Sequence, residues 1–523
     1  MKSRRFSPKA WLALFALLCA LWCLWHPRRM DALFGAIPSE AIAVSYHVGL
    51  AAEWKTLGRN ETFLEMLGRA GVSDIRDIVA EPGVYQTIFW LTGRNTVVGY
   101  IPHAWGTGAF DDAHLAGASH VGWKTKFMEL LWRVKWIPGL GRMETTPSGT
   151  RFMRFDGLVD SCGRDLLLGL DIVDGMLLAT LSTDPETVRQ LATRVMVGVR
   201  DEHLAAAFAD VRPWEVDFKG VRHAVWTSVP SGVAAMPATF TTGSFKEPGV
   251  AFTLRAKLDD PAIAAMHRFS NFNDLPAPGM GIRAEGVPLL AVFDAAAVAE
   301  LGALAPPVGE GLAAAYLSGK PYEGRIMGLA CPAINAVLPW SQGDNFKAWS
   351  DAWIETARRE AADAKLKTDF VGREHVQTRF VFSSHLDFLS RARHDDMAFL
   401  ELEDDCFLHI GSHYGSYRRR CASGGQTDST TLDAVADTWR SAHPAAVAAA
   451  RADMPTMQAE LRHLGAIAKL AGSLTGGGEG AAVVEGVAIA EYMLDVMTPL
   501  GVVDCVAFAE PDGWVRLDVR AEK

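Results

Sequence analysis

The stretch DLLLGLDIVDGMLLATLSTDPETVRQL (Asp165–Leu191) shows the structural pattern of this chain most clearly. Apolar residues run up to Asp174-Gly175 and resume directly after it, over Met176–Leu181. Asp-Gly between two apolar runs is a strong signal for a tight hairpin turn, because both turn residues need a positive φ. The polar segment Ser182–Glu186 then begins a helix, since it offers capping side chains and a proline near the first turn. The stretch therefore predicts two antiparallel strands followed by a helix.

A related pattern occurs a second time, in Asp396–Cys421 (DMAFLELEDDCFLHIGSHYGSYRRRC). Matched residues keep nearly the same spacing: Gly99 with Gly328 (328 − 99 = 229), Thr150 with Thr378 (378 − 150 = 228) and Asp165 with Asp396 (396 − 165 = 231). Two flanking pairs of segments also resemble each other: Ile37–Trp54 with Val287–Leu301, and Gly249–Leu258 with Gly513–Glu522. A period this long is typical of a duplicated domain and not of a solenoid of short repeats.

The composition fits a folded chain of this length, with 523 residues, 49% hydrophobic and 21% charged. Antiparallel hairpins separated by helices indicate the α+β class. We predict two tandem related α+β domains with antiparallel sheets and packed helices, over residues 37–262 and 287–523, joined by a linker at 263–286. The net charge of −10 argues against a general nucleic-acid binder.

The first thirty residues predict a membrane anchor. Ala10–Trp25 carries no charge and would form about 24 Å of helix. Four basic residues precede it and two follow it, so the positive-inside rule places the N-terminus in the cytoplasm and the chain after about residue 30 outside. No small-x-small cleavage site follows closely, so we expect residues 1–30 to be a cytoplasmic basic tail and an uncleaved signal anchor. Met30–Pro38 then reads as a short tether.

Several elements elsewhere are predicted from periodicity and turn residues. Tyr85–Leu91 and Thr96–Ile101 have the pattern of paired strands around a Gly-Arg-Asn turn. Glu186–Phe208 has the pattern of one long amphipathic helix, and Asp433–Leu464 is helical in pattern.

The segment Gly122–Ile137 (GWKTKFMELLWRVKWI) combines three tryptophans and four basic residues. This composition is typical of a helix that lies at a membrane surface. On a helical wheel Trp123, Phe127 and Leu130 share one face with other apolar residues. The alternative is a helix packed on its own sheet with basic stems along the surface. The residues predicted to contact a membrane surface are Trp123, Lys124, Lys126, Trp132, Arg133, Lys135 and Trp136.

The densest group of residues with catalytic or ligating chemistry is His409 and His413 with Asp404, Asp405 and Ser412. The first copy of the repeat has leucine, serine or glycine at the corresponding positions, so structural roles are favoured over a hydrolytic site. No nucleophile elbow, phosphate loop, HExxH or CxxC motif occurs. We therefore expect no cofactor and no metal site, and the absence of these motifs favours a non-enzymatic role.

Two segments carry a family resemblance. IPSEAIAVSYHV (Ile37–Val48) and LLLGLDIVDGMLLATLSTDPETV (Leu166–Val188) resemble a bacterial family of membrane-anchored envelope proteins that is known only as a domain of unknown function. The resemblance covers Ile37–Val195, with a fainter echo in the second half. It implies an extracytoplasmic location and an α+β repeat, and it carries no catalytic residue over to this chain.

Three functions follow as hypotheses. The first is a single-pass protein of the bacterial inner membrane, with most of the chain in the periplasm, that acts as a non-enzymatic binding or assembly scaffold. Its partners would be the bilayer, through residues 10–25, and an envelope protein or lipid. The second is binding of lipid or another hydrophobic ligand at the membrane. The third is a hydrolase that uses His409 or His413.

Overall fold

The computed structural model describes most of the chain after the predicted anchor. Its described residues are 15–18, 30–38, 41, 43–71, 74–101, 113–133, 136–137, 141–159, 163–198, 223–229, 236–244, 250–256, 266–276, 281–326, 329–341, 346–363, 367–374, 378–385, 395–403, 406–421, 431–475 and 477–522. Of the predicted anchor only residues 15–18 are described, and they are helical. None of the helices within these ranges is both long enough and apolar enough to cross a membrane.

The chain forms two compact units, which we call unit 1 (residues 1–64, 72–247 and 252–257) and unit 2 (residues 65–71, 248–251 and 258–523). Both combine helices with an antiparallel sheet, so the predicted α+β class is confirmed. The strand β12 (Val250–Ala256) contains residues of both units.

Unit 1 has a long antiparallel sheet. Its strands are β1 (Ala43–Val48), β2 (Asn95–Tyr100), β3 (Ala113–Ser119), β6 (Glu144–Thr145), β7 (Arg151–Val159), β8 (Asp165–Val173), β9 (Met176–Ser182), β10 (His223–Val229) and β11 (Met236–Ser244), with a separate pair β4 (Trp136–Ile137) and β5 (Gly141–Arg142). Hydrogen bonding gives the order β11-β10-β1-β2-β3-β9-β8-β7-β6.

The helices of this half of the chain precede or follow those strands. They are α1 (Met30–Gly35), α2 (Leu50–Leu57), α3 (Glu61–Arg69), α4 (Ile75–Ala80), α5 (Pro82–Leu91), α6 (Lys124–Arg133) and α7 (Thr187–Val197). One core cluster lies between α6 and the sheet, where Met128 and Trp132 of the helix meet Leu170 and Leu177 of the strands.

Unit 2 has a second antiparallel sheet. Its strands are β13 (Leu289–Asp294), β14 (Leu312–Ser318), β17 (Ala333–Pro339), β18 (Lys367–Glu374), β19 (Thr378–His385), β20 (Asp395–Glu403), β21 (Phe407–Gly411), β22 (Ala448–Asp453), β23 (Val502–Glu510) and β24 (Trp514–Glu522), with a separate hairpin β15 (Gly324–Ile326) and β16 (Leu329–Cys331). Their order is β24-β23-β22-β13-β14-β17-β21-β20-β19-β18.

The helices of unit 2 include a long hairpin near the C-terminus. They are α8 (Phe346–Asp363), α9 (Tyr414–Arg420), α10 (Leu432–Ala442), α11 (Met454–Thr475) and α12 (Gly477–Met497), together with 3-10 turns at Phe272–Asp274, Ala295–Leu304, Thr498–Leu500 and Pro511–Gly513. The main core lies under α9 and α10, where Phe399, Tyr417 and Trp439 are buried together.

The two sheets have the same strand order. Starting from β1 and β13, the sequence of neighbours is β2, β3, β9, β8, β7, β6 in unit 1 and β14, β17, β21, β20, β19, β18 in unit 2. On the other side β10 and β11 correspond to β22 and β23. Asp165 and Asp396 lie in the corresponding strands β8 and β20, as the repeat predicts. The domain boundaries and the duplication itself stay predictions.

One of the three matches does not follow this order. Gly99 lies in β2, whose counterpart is β14, whereas residue 328 comes after β14 and outside the described residues. A short Gly-containing pattern matches by chance more easily than a whole hairpin, because it carries less structural information.

The hairpin that opens the sequence pattern is confirmed. Strands β8 and β9 pair from Leu167–Ser182 to Val173–Met176. Asp174 has φ 49° and Gly175 has φ 79°, so both turn residues have the positive φ of a type I′ turn. The helix that follows, α7, is capped at its C-terminus by Gly198, whose φ of 74° lies in the left-handed region. The remainder of the predicted Glu186–Phe208 helix lies outside the described residues.

Two predictions near the N-terminus are wrong. Met30–Pro38 is not a free tether, because Leu33, Phe34 and Ile37 are buried and the Phe34 ring stacks on Tyr46 at 5.9 Å. Tyr85–Leu91 is not a strand but part of α5, which begins at Pro82. Its aromatic and β-branched residues suit a strand, but a proline at the first helical position and tertiary packing favour the helix.

Two predictions in the second half also need correction. The stretch 263–286 is not only a linker, because Phe272, Leu275 and Ile282 are buried in the core of unit 2. The predicted helical stretch Asp433–Leu464 is interrupted by β22, which pairs with both β13 and β23. Its sequence, AAARAD, has no strand propensity of its own, so its place between two strands decides its conformation.

Candidate functional site

The helix α6 carries most of the residues predicted to contact a membrane. It is preceded by Gly122, whose φ of 61° places the chain in the left-handed region, and the Thr125 hydroxyl donates to the Gly122 carbonyl oxygen at 2.7 Å. The inward face consists of Lys124, Thr125, Met128 and Trp132, all of which are buried. This face is held by the sheet, so α6 has a fixed rotation about its axis.

Lys124 lies inside unit 1, in spite of its charge. Its Nζ donates to the carbonyl oxygens of Phe89 and, at 3.0 Å, of Thr92, and it lies 3.8 Å from the centre of the Phe89 ring. These acceptors are at the C-terminal end of α5, where carbonyl groups lack helical partners and favour a cation. Burial lowers the pKa of Lys124 to about 8. Lys124 therefore joins α5 to α6 and is not part of an exposed surface.

Trp132 is also buried, with the Arg151 guanidinium 4.6 Å from the ring centre. Its indole packs against the sheet, so it cannot face a bilayer in this conformation. The prediction of membrane contact is therefore corrected for both Lys124 and Trp132.

The outward face of α6 is apolar. Trp123, Phe127 and Leu130 are 47%, 42% and 58% exposed, although each is large and hydrophobic. The Trp90 ring of α5 stacks on Phe127 with centroids 5.5 Å apart and meets the edge of Trp123 at 6.5 Å. We call Trp90, Trp123, Phe127 and Leu130 the aromatic face. It matches the stripe predicted from the helical wheel, but it points away from the core.

Basic side chains flank the aromatic face. Arg133 is exposed, and Lys126 is half-buried with its Nζ 3.7 Å from Glu129. Lys135 lies outside the described residues. Trp136 forms part of β4, where it pairs with Arg142. An exposed apolar patch with cations at its margin is suited to binding a surface that is both apolar and anionic, and it contains no catalytic group.

The second group of predicted residues lies in unit 2, under α9. His409 is buried on β21, and its Nε2 donates to Glu403 Oε2 on the neighbouring strand at 2.8 Å. This hydrogen bond is the main cause that lowers the pKa of Glu403. The Tyr417 ring covers His409 with centroids 4.8 Å apart. His409 is therefore buried beneath α9.

His413 is also buried, at the start of α9, and its Nδ1 shares a hydrogen bond of 2.9 Å with Ser412 Oγ. Ser412 also accepts a hydrogen bond from the backbone N–H of Ile334. Residues 404 and 405 lie outside the described residues. Among the residues that the structure describes, no group of three or more His, Cys, Asp or Glu side chains could hold a metal ion.

The side chains around His409 form a polar layer within the core. Glu401 is opposite His409 in the register of β20 and β21, and it is buried with Arg418 3.7 Å away. Glu401 Oε2 and His409 Nδ1 have no hydrogen-bond partner within the described structure. The rings of Phe399 and Tyr417 stack at 5.0 Å and fill the space beside them. The layer is packed and does not present a nucleophile to solvent.

Arg420 is a buried charged residue that the sequence did not single out. It is fully buried at the end of α9, and its guanidinium donates to the carbonyl oxygens of Arg283 at 2.8 Å, Glu285 at 2.5 Å and Gly286 at 3.1 Å. The Tyr322 ring lies 4.3 Å from the guanidinium. These contacts fix the turn before β13, so the role of Arg420 is structural. The three consecutive arginines at 418–420 are visible in the sequence, but which of them points into the core depends on the tertiary structure.

No family model and no curated protein matches this chain. Among solved structures, crystal form I of TP0453 is similar with a TM-score of 0.25 and 10% identity, over 44% of this chain and 79% of that chain. Crystal form III of TP0453 gives a TM-score of 0.25 and 10% identity, over 47% and 87%. Crystal form IV gives 0.24 and 9%, over 45% and 85%. Similarity at this level carries no argument about the fold or the function of this chain.

Proposed function

We propose that this chain is a membrane-anchored, extracytoplasmic protein of the bacterial envelope that binds and does not catalyse, and that its aromatic face contacts the bilayer surface. The observation that carries the proposal is the outward direction of Trp123, Phe127 and Leu130 on a helix whose other side is buried. Large apolar side chains exposed together mark a binding surface, whereas single ones do not.

The short distance between the predicted anchor and unit 1 supports contact between the aromatic face and the bilayer surface. The apolar run ends at Trp25, and Leu33 of α1 is already in the core. The five residue steps from Trp25 to Met30 span at most about 18 Å. A chain anchored through residues 10–25 would hold unit 1 against the headgroup region, where indole and phenyl rings are favoured.

The free energy that such a contact would contribute is small. Full burial of a Phe, Leu or Trp side chain gains about 1.5–3 kcal/mol, so three half-exposed side chains would gain about 3 kcal/mol together. A basic residue near an anionic surface adds about 1 kcal/mol. Such a contact is weak for a free protein, but it is sufficient for one that a covalent anchor already keeps at the membrane.

A photocrosslinking experiment on the full chain in its native membranes tests the proposal. p-Benzoylphenylalanine replaces Phe127 and, as a matched control, Met196, which is 65% exposed on α7 of the same unit. We expect lipid adducts from position 127 and none from position 196. Adducts of position 127 with an envelope protein would instead favour a protein partner for the aromatic face, and the absence of any adduct would contradict a binding role for it.

A further inference from the structure

The polar layer under α9 contains two buried atoms that take part in no hydrogen bond. Glu401 and His409 are directly opposite in the register of β20 and β21, so their side chains lie on the same face of the sheet. Glu401 is 2% exposed and His409 is 1% exposed. Within the described structure, Glu401 Oε2 and His409 Nδ1 have no partner. Buried polar atoms are normally paired, so two unpaired ones on neighbouring strands point to a bound group.

The hydrogen bond from His409 to Glu403 determines the character of Nδ1. Nε2 lies 2.8 Å from Glu403 Oε2, and this bond is the main cause that lowers the pKa of Glu403. Glu403 is therefore an ionised carboxylate at neutral pH, which can only accept, so the hydrogen comes from Nε2. In a neutral imidazole with its hydrogen on Nε2, Nδ1 has a lone pair and no hydrogen. Nδ1 is then an acceptor without a donor.

The free oxygen of Glu401 is also an acceptor. Arg418, which is exposed on α9, lies 3.7 Å from Glu401 Oε1, so the carboxylate forms an ion pair through that oxygen. Oε2 has no donor within the described structure. The two unpaired atoms are thus two acceptors on adjacent strands, and neither can satisfy the other.

The side chains packed around His409 are rings and aliphatic groups. The Tyr417 ring covers His409 with centroids 4.8 Å apart, and Phe399 stacks on Tyr417 at 5.0 Å. On the other side, the residue opposite His409 on β17 is Val337, which is buried. A group that completes the pair must therefore be small and must donate two hydrogen atoms. Water meets both conditions, and buried waters typically bridge such polar atoms.

We propose that the polar layer binds one buried water molecule, which donates one hydrogen to Glu401 Oε2 and the other to His409 Nδ1. Opposite Cβ atoms of neighbouring strands are about 4.5–5.5 Å apart, an interval that a water spans with about 2.8 Å to each acceptor. Immobilising one water costs less free energy than leaving two buried acceptors unpaired. The water links β20 to β21 beneath α9 and keeps His409 in one tautomer. The site lies within unit 2 and does not depend on the membrane contact of Phe127.

Nuclear magnetic resonance of the full chain in detergent, with nitrogen-15-labelled histidine at pH 7, tests the proposal. We expect His409 to carry hydrogen on Nε2 alone and to show a contact with a slowly exchanging water. The variant His409→Gln identifies its signal. His413 is the matched control, because it is also buried in unit 2 but its Nδ1 is bonded to Ser412 Oγ at 2.9 Å. It is expected to show no such water contact.

The same spectra contain the results that would overturn the proposal. Hydrogen on both ring nitrogens of His409 would mean that a proton, and not a water, completes the pair. Hydrogen on Nδ1 alone would make this atom a donor and remove the need for a bridge. Hydrogen on Nε2 without a water contact, or an equal contact at His413, would show that no specific water is bound.

A high-resolution crystal structure of the full chain gives a second measurement that needs no signal assignment. We expect one electron-density peak within about 2.7–3.2 Å of both Glu401 Oε2 and His409 Nδ1. Glu401→Leu replaces one acceptor by an apolar group of similar size and should remove the peak. A wild-type structure without the peak, or a peak that Glu401→Leu leaves in place, would contradict the proposal.

Discussion

Lys124 Nζ donates to the Thr92 carbonyl oxygen at 3.0 Å, and this bond joins two helices of unit 1 that are 32 residues apart in sequence. It fixes the first turn of α6 against the C-terminal end of α5. With Lys124 inward, Met128 and Trp132 lie on the same side, and Trp123 and Phe127 are directed to solvent. A buried lysine thus determines which side of an apolar helix is exposed.

Removal of this lysine should destabilise the protein. Lys124→Met keeps most of the stem but leaves the Phe89 and Thr92 carbonyl groups without their donor. We expect a loss of about 1–3 kcal/mol in the free energy of unfolding, because unpaired buried acceptors cost about that amount. Urea unfolding of the full chain in detergent measures it. Lys126→Met on the exposed side is the control and should change stability by less than about 0.5 kcal/mol.

The same lysine should make stability depend on pH. Burial lowers the pKa of Lys124 from 10.5 to about 8 in the folded state, so the unfolded chain binds the proton more tightly. Between pH 8 and 10.5 the unfolded state therefore carries more protons, and the stability contributed at this site rises with pH. We expect the stability of the wild type relative to Lys124→Met to be greater at pH 10 than at pH 7. A difference that stays constant or falls over this interval would contradict the buried position of the ammonium group.

The direction of α6 predicts opposite results for two neighbouring residues. Met128→Ala should cost about 2–5 kcal/mol of stability, because it leaves a cavity in the core cluster with Leu170 and Leu177. Phe127→Ala should cost less, about 1 kcal/mol, since 42% of its surface is already exposed, but it should reduce the membrane contact. Thermal unfolding of both variants distinguishes the two sides of the helix. Equal costs would mean that α6 is rotated.

Arg420 provides a similar test in unit 2. Arg420→Met removes three hydrogen bonds to backbone carbonyl groups that lie before β13. We expect a loss of about 3 kcal/mol or more, since bonds from a charged donor are worth about 1.5–3 kcal/mol each and are not fully additive. Arg419→Met is the matched control, because Arg419 is exposed and, among the described residues, donates to a single carbonyl oxygen, that of Glu323. Denaturant midpoints that coincide for the two variants would show that Arg420 does not hold this turn.

The residues of the aromatic face could be predicted from the sequence, but the side of α6 that faces solvent could not. The wheel of Gly122–Ile137 groups Trp123, Phe127 and Leu130 correctly on one face. Met128 and Trp132 form a second apolar face, so the helix has two sides that could each pack against the sheet. The choice depends on the partners of Lys124, which come from a helix that the sequence pattern suggested was a strand.

The polar layer under α9 shows the same division. His409 was identifiable as a candidate from its neighbours in sequence, and the structural role favoured for it agrees with its burial and its bond to Glu403. The inward direction of Arg420 was not visible, because three successive arginines look alike until the rotation of the helix is known.

The sequence by itself determined the hairpin of β8 and β9, because Asp174 and Gly175 are adjacent and a turn with two positive φ angles is a local property of those residue types. It also determined the α+β class, which follows from short-range alternation of apolar and polar residues. Only the tertiary structure decided which face of α6 is exposed, that residues 32–37 belong to the core, and that AAARAD forms a central strand. These outcomes depend on contacts between segments far apart in the chain, and the free energy of such contacts outweighs local propensity.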